Sequence, residues 1–216
     1  MCRRIDLDVP PDENRRPRWS LLVKVAGAIL SVLVVAFLIA RSTVICPHKS
    51  LFTLEDVTLY GFNVSDNPTL ITSEFQVTIT SRNPNSHFGM YYESLDTYAT
   101  YQGQQVTSRT AIPDMYEGRE STSIWTMFIS GTLVPVAPQV RVALNRDWVI
   151  NRLVVIMIKL DGQVRWKLGV IAKGSYHITV KCPAYIPFGT NGTGIYVGNN
   201  AIKYQLLQRC GVNFSR

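Results

Sequence analysis

The sequence has few of the residues on which catalysis and metal binding depend. Its three histidines are widely separated, and no HExxH, CxxC, GxSxG or P-loop pattern occurs. Two acidic pairs, Glu55 with Asp56 and Glu117 with Glu120, have the close spacing that is common on exposed loops. We assign them to solvated surface. We therefore expect no catalytic residue, no metal site and no cofactor, and a protein that is not an enzyme.

A run of like charge is also absent, although the formal net charge is +7. Residues 1–20 carry five arginines, whereas residues 42–216 hold fifteen basic and eleven acidic groups with no cluster of Lys and Arg. A phosphate-binding stripe would concentrate the basic groups on one surface. We therefore expect no nucleic acid as a partner, and we expect the basic tail to favour anionic lipid.

One long apolar run is present. Residues 21–40 read LLVKVAGAILSVLVVAFLIA, with Lys24 as the only charge and Trp19 just before the run. Twenty helical residues span roughly 30 Å, the thickness of the hydrocarbon core of a bilayer. A cleavable signal peptide is the alternative, but it would have a shorter apolar core and small residues before the cleavage point, which Leu38 and Ala40 match poorly. We predict an uncleaved transmembrane helix.

The charges on each side of this helix predict its orientation. Five arginines precede it, whereas only Arg41 and Lys49 follow it closely, so the N-terminus should be cytosolic. The chain then divides into a flexible Arg-rich cytosolic tail (1–20), the helix (21–40), a juxtamembrane linker (41–50) and an extracytosolic domain (51–216). The lipid bilayer is the first expected partner.

The extracytosolic part has the alternation of β-strands. From Ile71 to Thr80, apolar and polar residues alternate, which predicts a strand with one buried face and one solvated face. Pro84 ends it in a turn, and Gly162 and Gly174 predict tight turns between later strands. Further strands are predicted at 51–59, 94–101, 123–129, 140–144, 153–160, 164–171 and 175–182. With no convincing amphipathic helix between them, they favour an all-β antiparallel sandwich over a closed barrel.

Four cysteines are present, of which three lie beyond the helix. Cys182 ends a strong strand and Cys210 lies in the last segment, so a disulfide between them would staple the C-terminal strands and add about 3 kcal/mol of stability. Two buried free thiols are the alternative. Cys46 lies close to the bilayer, where an intermolecular bridge is a further alternative. On the cytosolic side, Cys2 has the surroundings of a reversible acylation site, although an unmodified thiol is the simpler interpretation.

Three N-glycosylation sequons occur, at Asn63, Asn191 and Asn213, all on the predicted outer side. Their use requires accessible loops. Chance alone would give about one or two sequons, so their placement supports the topology only mildly.

Several short motifs in the outer domain form a recognisable set. Their residues are Asn83, Pro84, Asn85, Tyr91, Tyr92, Trp166, Gly169, Tyr176, Pro183 and Tyr185. In these motifs the chain resembles the plant harpin-induced and non-race-specific-disease-resistance-like proteins of the second late-embryogenesis-abundant group, and the resemblance covers the apolar segment and nearly all of the outer domain. Unlike some members, the chain ends in residues too polar and too few for a glycolipid-anchor signal, so the N-terminal helix must anchor it.

The resemblance implies an immunoglobulin-like or fibronectin-III-like sandwich, residence in the plasma membrane with the outer domain extracellular, and roles in plant defence and stress response. It implies no enzymatic activity. The expected partners are membrane or cell-surface proteins of defence signalling, and a homo- or hetero-oligomer is compatible with this interpretation.

Three functions compete on this basis. The favoured one is protein interaction through the outer sandwich, with exposed tyrosines such as Tyr91 and Tyr92 as candidate contacts. Lipid binding or handling by the β-domain at the membrane surface is the alternative. A third, less favoured, is an enzyme acting on wall glycans, which would need a cleft with converging carboxylates.

Overall fold

The computed structural model describes residues 16–45, 47–65, 69–168, 171–187, 194–197 and 201–215. The chain separates into two units, residues 1–46 and 47–216, and each is described by itself. Four residues named above, Cys2, Cys46, Gly169 and Asn191, lie outside the described ranges.

The first unit contains the helix α1 (Arg16–Ile45). From Trp19 to Ile39 it is apolar and exposed on all sides, and its length and composition suit a membrane span. A soluble helix would bury one apolar stripe, but here none of this surface is covered by protein. The helix is longer than the predicted 21–40 because helical geometry continues through the flanking polar residues.

The second unit is built from β-strands. The described strands are β1 (Leu51–Ser65), β2 (Leu70–Arg82), β3 (Gly89–Tyr101), β4 (Gln104–Gln105), β5 (Thr110–Ile112), β6 (Met115–Glu117), β7 (Thr122–Pro135), β8 (Leu153–Leu168), β9 (Ile171–Pro187), β10 (Ile195–Val197), β11 (Ala201–Arg209) and β12 (Gly211–Ser215).

The strands form two antiparallel sheets. The first sheet has the order β10-β11-β1-β2-β7, and the second has the order β12-β9-β8-β3-β4, with β5 and β6 also paired to β3. Alternate residues of both sheets meet in one core, of which Phe75, Ile79 and Ile158 are fully buried members. The prediction of an all-β antiparallel sandwich preceded by one apolar helix is confirmed.

Strand β2 shows how the sequence specifies this packing. Its residues alternate between buried and solvated from Ile71 to Arg82, as the period of two predicts. The odd-numbered side chains enter the core, and the even-numbered ones form the outer face of the first sheet. The same alternation runs through β8 from Val154 to Trp166.

Two predicted turns are wrong. β8 passes without interruption through Gly162, where a Cβ would lie 2.7 Å from the backbone oxygen of Ser94, so this glycine permits close approach of β3. β9 likewise passes through Gly174, which adopts a φ of 61° where the register with β8 shifts by one residue. Glycine tolerates this bulge because it lacks a Cβ.

The strand predicted at 140–144 is also wrong. Pro138–Arg146 forms the helix α2, which continues into a π-helical turn, Asp147–Asn151. Val140 and Leu144 are the buried residues of α2, and their spacing of four places them on one helical face. Pro138 stands in the first turn, where its missing N–H costs nothing.

Candidate interaction surfaces

A buried polar network lies where β1 begins. The Tyr92 hydroxyl donates to Glu117 Oε2 at 2.9 Å, and the Ser81 hydroxyl donates to the same oxygen at 3.0 Å. Ser50 Oγ lies 2.9 Å from the Tyr92 oxygen. Tyr92 and Glu117 are each only 1% exposed. Tyr92 is therefore closed to partners, and the interpretations of Tyr92 as an exposed contact and of Glu117 as a surface acid are wrong.

The environment of this network disfavours charge. Burial raises the pKa of Glu117 above its ordinary 4.5, although hydrogen bonds from Tyr92, Ser81 and Ser123 work in the opposite direction. Burial, followed by the nearby Glu117 carboxyl, raises the pKa of Tyr92 as well. The pair consequently acts as a structural hydrogen-bonded link between β3 and β6 rather than as a proton-transfer site open to substrate.

Asn83 organises the corner between β2 and β3. Its Nδ2 donates to the carbonyls of Phe88 and Gly118, both at 2.7 Å, and its Oδ1 accepts from the backbone N–H and the side chain of Asn85. Asn83 is fully buried, so each of these bonds replaces one to water. The presence of Asn83 among the residues that carry the family resemblance is therefore explained by its role in the fold.

Asn85 attaches the first residues of the outer unit to this corner. Its Oδ1 accepts the backbone N–H of His48 at 2.6 Å, and its Nδ2 donates to the His48 carbonyl at 2.8 Å. The amide thereby pairs with both backbone groups of one residue, as a neighbouring strand would. Pro84, between the two asparagines, is half-buried and fixes the turn.

Tyr91 belongs to a different environment from its neighbour. It is half-buried on the outer face of the second sheet, with its ring centroid 4.6 Å from that of Tyr116. Lys167 Nζ lies 5.4 Å and 5.5 Å from the two ring centroids, within the range of cation–π attraction. Arg165 and Glu93 form an ion pair nearby. This exposed aromatic and charged face remains a candidate contact surface.

The later motif residues divide between core and surface. Trp166 is buried, with its ring 4.7 Å from Tyr176 and 5.3 Å from Phe214, so it packs the second sheet. Pro183 is half-buried in β9, whereas Tyr185 is 44% exposed.

A disulfide joins Cys182 in β9 to Cys210, with 4.3 Å between their Cα atoms. Cys210 lies between β11 and β12, where the chain passes from the first sheet to the second. The bridge therefore fixes the point at which the two sheets are connected. Two sequon asparagines, Asn63 and Asn213, are exposed in β1 and β12.

The π-helical turn presents an exposed apolar surface on the outer unit. Trp148, Val149 and Ile150, which we call the apolar tip, are 40%, 61% and 73% exposed. The turn is held in place because the Tyr101 hydroxyl donates to Asp147 Oδ2 at 2.6 Å. π-Helical turns recur at functional sites, and apolar side chains held outward in this way are unusual in a monomer.

A cleft of about 450 Å³ adjoins the apolar tip. Phe62, Leu144 and Trp148 supply its apolar wall, and Arg141 supplies a cation. The ring of Trp148 lies 6.2 Å from that of Phe62, so the tip rests against the last part of β1. This site was not predicted from the sequence because residues 140–144, just before it, were assigned to a strand. The signal was the apolar run Trp148-Val149-Ile150, which follows a segment that contains Arg141 and Arg146.

Comparison with known proteins decides the family. NDR1/HIN1-like protein 1 of Arabidopsis thaliana is 46% identical over 94% of this chain and 98% of that protein. The chain belongs to the NDR1/HIN1-like family. NDR1/HIN1-like protein 12 of the same plant is 45% identical over 88% of each chain, and the family model described as late embryogenesis abundant protein matches residues 78–183. A solved putative late embryogenesis abundant protein aligns over 80% of this chain and 91% of that chain, at 15% identity and a TM-score of 0.31.

Family membership places the site residues in context. The matched region of this NDR1/HIN1-like protein includes the Asn83 corner, the Tyr92–Glu117 network and the apolar tip. The first two are buried and serve the fold, as their hydrogen bonds show. The apolar tip and the Tyr91 face are exposed, so an interaction with another molecule is to be sought there.

Proposed function

We propose that this NDR1/HIN1-like protein is a non-enzymatic, plasma-membrane-anchored protein of plant defence and stress response that acts by protein interaction. Family membership supports the biological setting. The apolar tip is the observation that carries the interaction: three apolar side chains in succession are held outward by a buried aromatic anchor, which is how interface cores are presented.

The anchoring part of the proposal rests on α1, with the N-terminus in the cytosol and the sandwich extracellular. The uncovered apolar surface from Trp19 to Ile39 needs a hydrocarbon environment. The Cys182–Cys210 bridge supports an oxidising compartment, because cytosolic thiols are normally kept reduced. The side chains of Asn63 and Asn213 are exposed, which supports glycosylation in that compartment, although both residues stand in paired strands and not in the expected loops.

The interior between the two sheets is filled by side chains, which favours protein interaction over lipid handling as the function. Side chains such as Phe75, Ile129 and Ile158 occupy the interior, and all are fully buried. An acyl chain would need apolar room there. Native mass spectrometry of the full chain tests this point: a co-purified lipid that survives delipidation would favour the lipid-handling function instead.

Site-specific photocrosslinking tests the interaction. A photoreactive amino acid at Val149 in the full-length protein should give a discrete crosslinked species in plant membranes, and Ile150→Asp should abolish it. The same probe at Thr126, an exposed residue of β7, is the matched control. Identical products from both positions, or a product that Ile150→Asp leaves unchanged, would rule out the apolar tip as the contact.

Glycosidase treatment tests the topology. The full-length protein from plant membranes should shift in mobility, and Asn63→Gln should remove one step of that shift. Protection of the C-terminal domain from external protease, together with no shift, would place the sandwich in the cytosol and reverse the proposed orientation.

A further inference from the structure

A second cleft, of about 410 Å³, opens on the first sheet where β1 begins. Three basic residues, Lys49, Arg82 and Arg209, contribute to its lining, and we call it the basic cleft. No acidic side chain is among the described residues that line it. The cleft therefore concentrates positive charge on a domain whose other charges are mixed.

Strand register places the two arginines on the same face. Arg82 pairs with Leu51 and Arg209 pairs with Thr53, on opposite sides of β1. Leu51 and Thr53 are two residues apart, so their side chains point the same way. Strands lie about 4.8 Å apart and rise about 3.4 Å per residue, so the two arginine Cα atoms are offset by about 10 Å across the sheet and 7 Å along it. Both guanidinium groups can reach one anion between them.

Hydroxyl groups complete this surface. Thr53 pairs with Thr80, and Arg82 pairs with Thr122, and all three threonines line the basic cleft. Hydroxyls donate hydrogen bonds to anionic oxygens, and guanidinium groups bind phosphate oxygens in pairs. A phosphate group matches this set of donors better than a carboxylate does, because it offers more acceptor oxygens.

We propose that the basic cleft binds the anionic phosphate headgroup of a membrane lipid, of the kind that phosphatidic acid carries. This inference rests on the proposed anchoring, because Lys49 follows Ile45, the last residue of α1, by only four positions in the chain. A helix embedded in a bilayer keeps this segment near the headgroups, where a weak site is exposed to a high local concentration of lipid. Headgroup binding in the cleft would then hold the sandwich to the membrane at a second point, in addition to the helix.

Titration of the full-length protein in a nonionic detergent tests the cleft. Short-chain phosphatidic acid is the probe, short-chain phosphatidylcholine is the zwitterionic comparison, and inorganic phosphate is the soluble comparison. Phosphatidic acid should bind saturably and more tightly than either. Arg82→Gln with Arg209→Gln should weaken it by roughly twenty-five-fold, or about five-fold for each charge removed near an anionic surface.

The matched control is Arg109→Gln with Arg152→Gln, which removes the same charge from exposed positions outside the cleft. It should leave the affinity for phosphatidic acid within two-fold of the original. An equal loss in both double variants would show diffuse charge attraction and overturn the proposal. Equal, cleft-dependent affinity for inorganic phosphate would overturn the assignment to lipid. Binding of phosphatidylcholine as tight as that of phosphatidic acid would overturn the selection of an anionic headgroup.

Discussion

Tyr92 and Glu117 are joined by a 2.9 Å hydrogen bond inside the sandwich, while the adjacent Tyr91 faces outward against Tyr116. Removal of one hydroxyl should therefore have different effects at the two positions. Tyr92→Phe leaves the buried carboxyl with one donor fewer and should lower the free energy of unfolding by about 1–3 kcal/mol. Tyr91→Phe should change it by less than about 0.5 kcal/mol. Urea unfolding of the full-length variants in detergent measures both; equal effects would contradict the placement of these tyrosines.

Glu117 should make the stability of the outer domain depend on pH. Burial raises its pKa in the folded state, whereas the unfolded chain leaves it near 4.5. As the pH rises above 4.5, the unfolded state releases this proton before the folded state does, and unfolding becomes more favourable. The stabilisation that Glu117 provides is therefore fully present below pH 4.5. It is lost as the pH rises through the raised pKa of the folded state.

Glu117→Gln removes this titration and keeps an oxygen that accepts from Tyr92 and Ser81. The variant should gain stability relative to the original protein as the pH is raised from 4 to 7. Urea midpoints at both pH values measure the difference. A difference that is constant over this range would mean that Glu117 has the same pKa in both states.

Replacement of Asn83 by an aspartate should lower the stability of the outer domain strongly. Asn83→Asp replaces the two donors to Phe88 and Gly118 with an oxygen that faces both carbonyls in a buried site. The expected loss is about 3 kcal/mol or more. Asn145→Asp makes the same exchange on the exposed surface of α2 and should cost less than about 1 kcal/mol. Thermal unfolding monitored by near-UV circular dichroism compares them, and similar midpoints would argue against the corner described above.

The Cys182–Cys210 bridge closes a segment of 28 residues. Replacing both cysteines with alanine should lower the free energy of unfolding by about 3–4 kcal/mol, chiefly because the unfolded chain regains freedom. Maleimide labelling of the protein from plant membranes provides the second measurement. Both cysteines should react only after reduction, and labelling of either without a reductant would indicate that the bridge is absent in the cell.

The alternation of apolar and polar residues was sufficient to predict the sandwich. Each sheet buries one face, so strands such as β2 and β8 place an apolar residue at every second position. It could not predict the two glycines within β8 and β9. Gly162 and Gly174 look like turn signals in a sequence, but one allows β3 to approach and the other accommodates a bulge, and both roles are set by the neighbouring strand.

The candidate sites were harder to predict for the same reason. Tyr91 and Tyr92 are neighbours of the same residue type, and only the pairing of β3 with β6 decides which of them meets Glu117. The apolar tip depends on the anchoring of Asp147 by Tyr101, which are 46 residues apart in the chain. The two arginines of the basic cleft come together only through their register with β1.

The position of β1 between β2 and β11 has a mechanical consequence. β1 is the first strand after α1; β2 pairs with it from Leu51 to Ser65, and β11 pairs with it from Thr53 to Leu59. If α1 is held in a membrane and the proposed partner pulls at the apolar tip, which contacts Phe62 in the last part of β1, load passes along this strand and across its hydrogen bonds, which lie perpendicular to it. The bonds then share the force and must break together rather than one after another. A domain loaded in this way would resist tension applied between its first strand and the apolar tip.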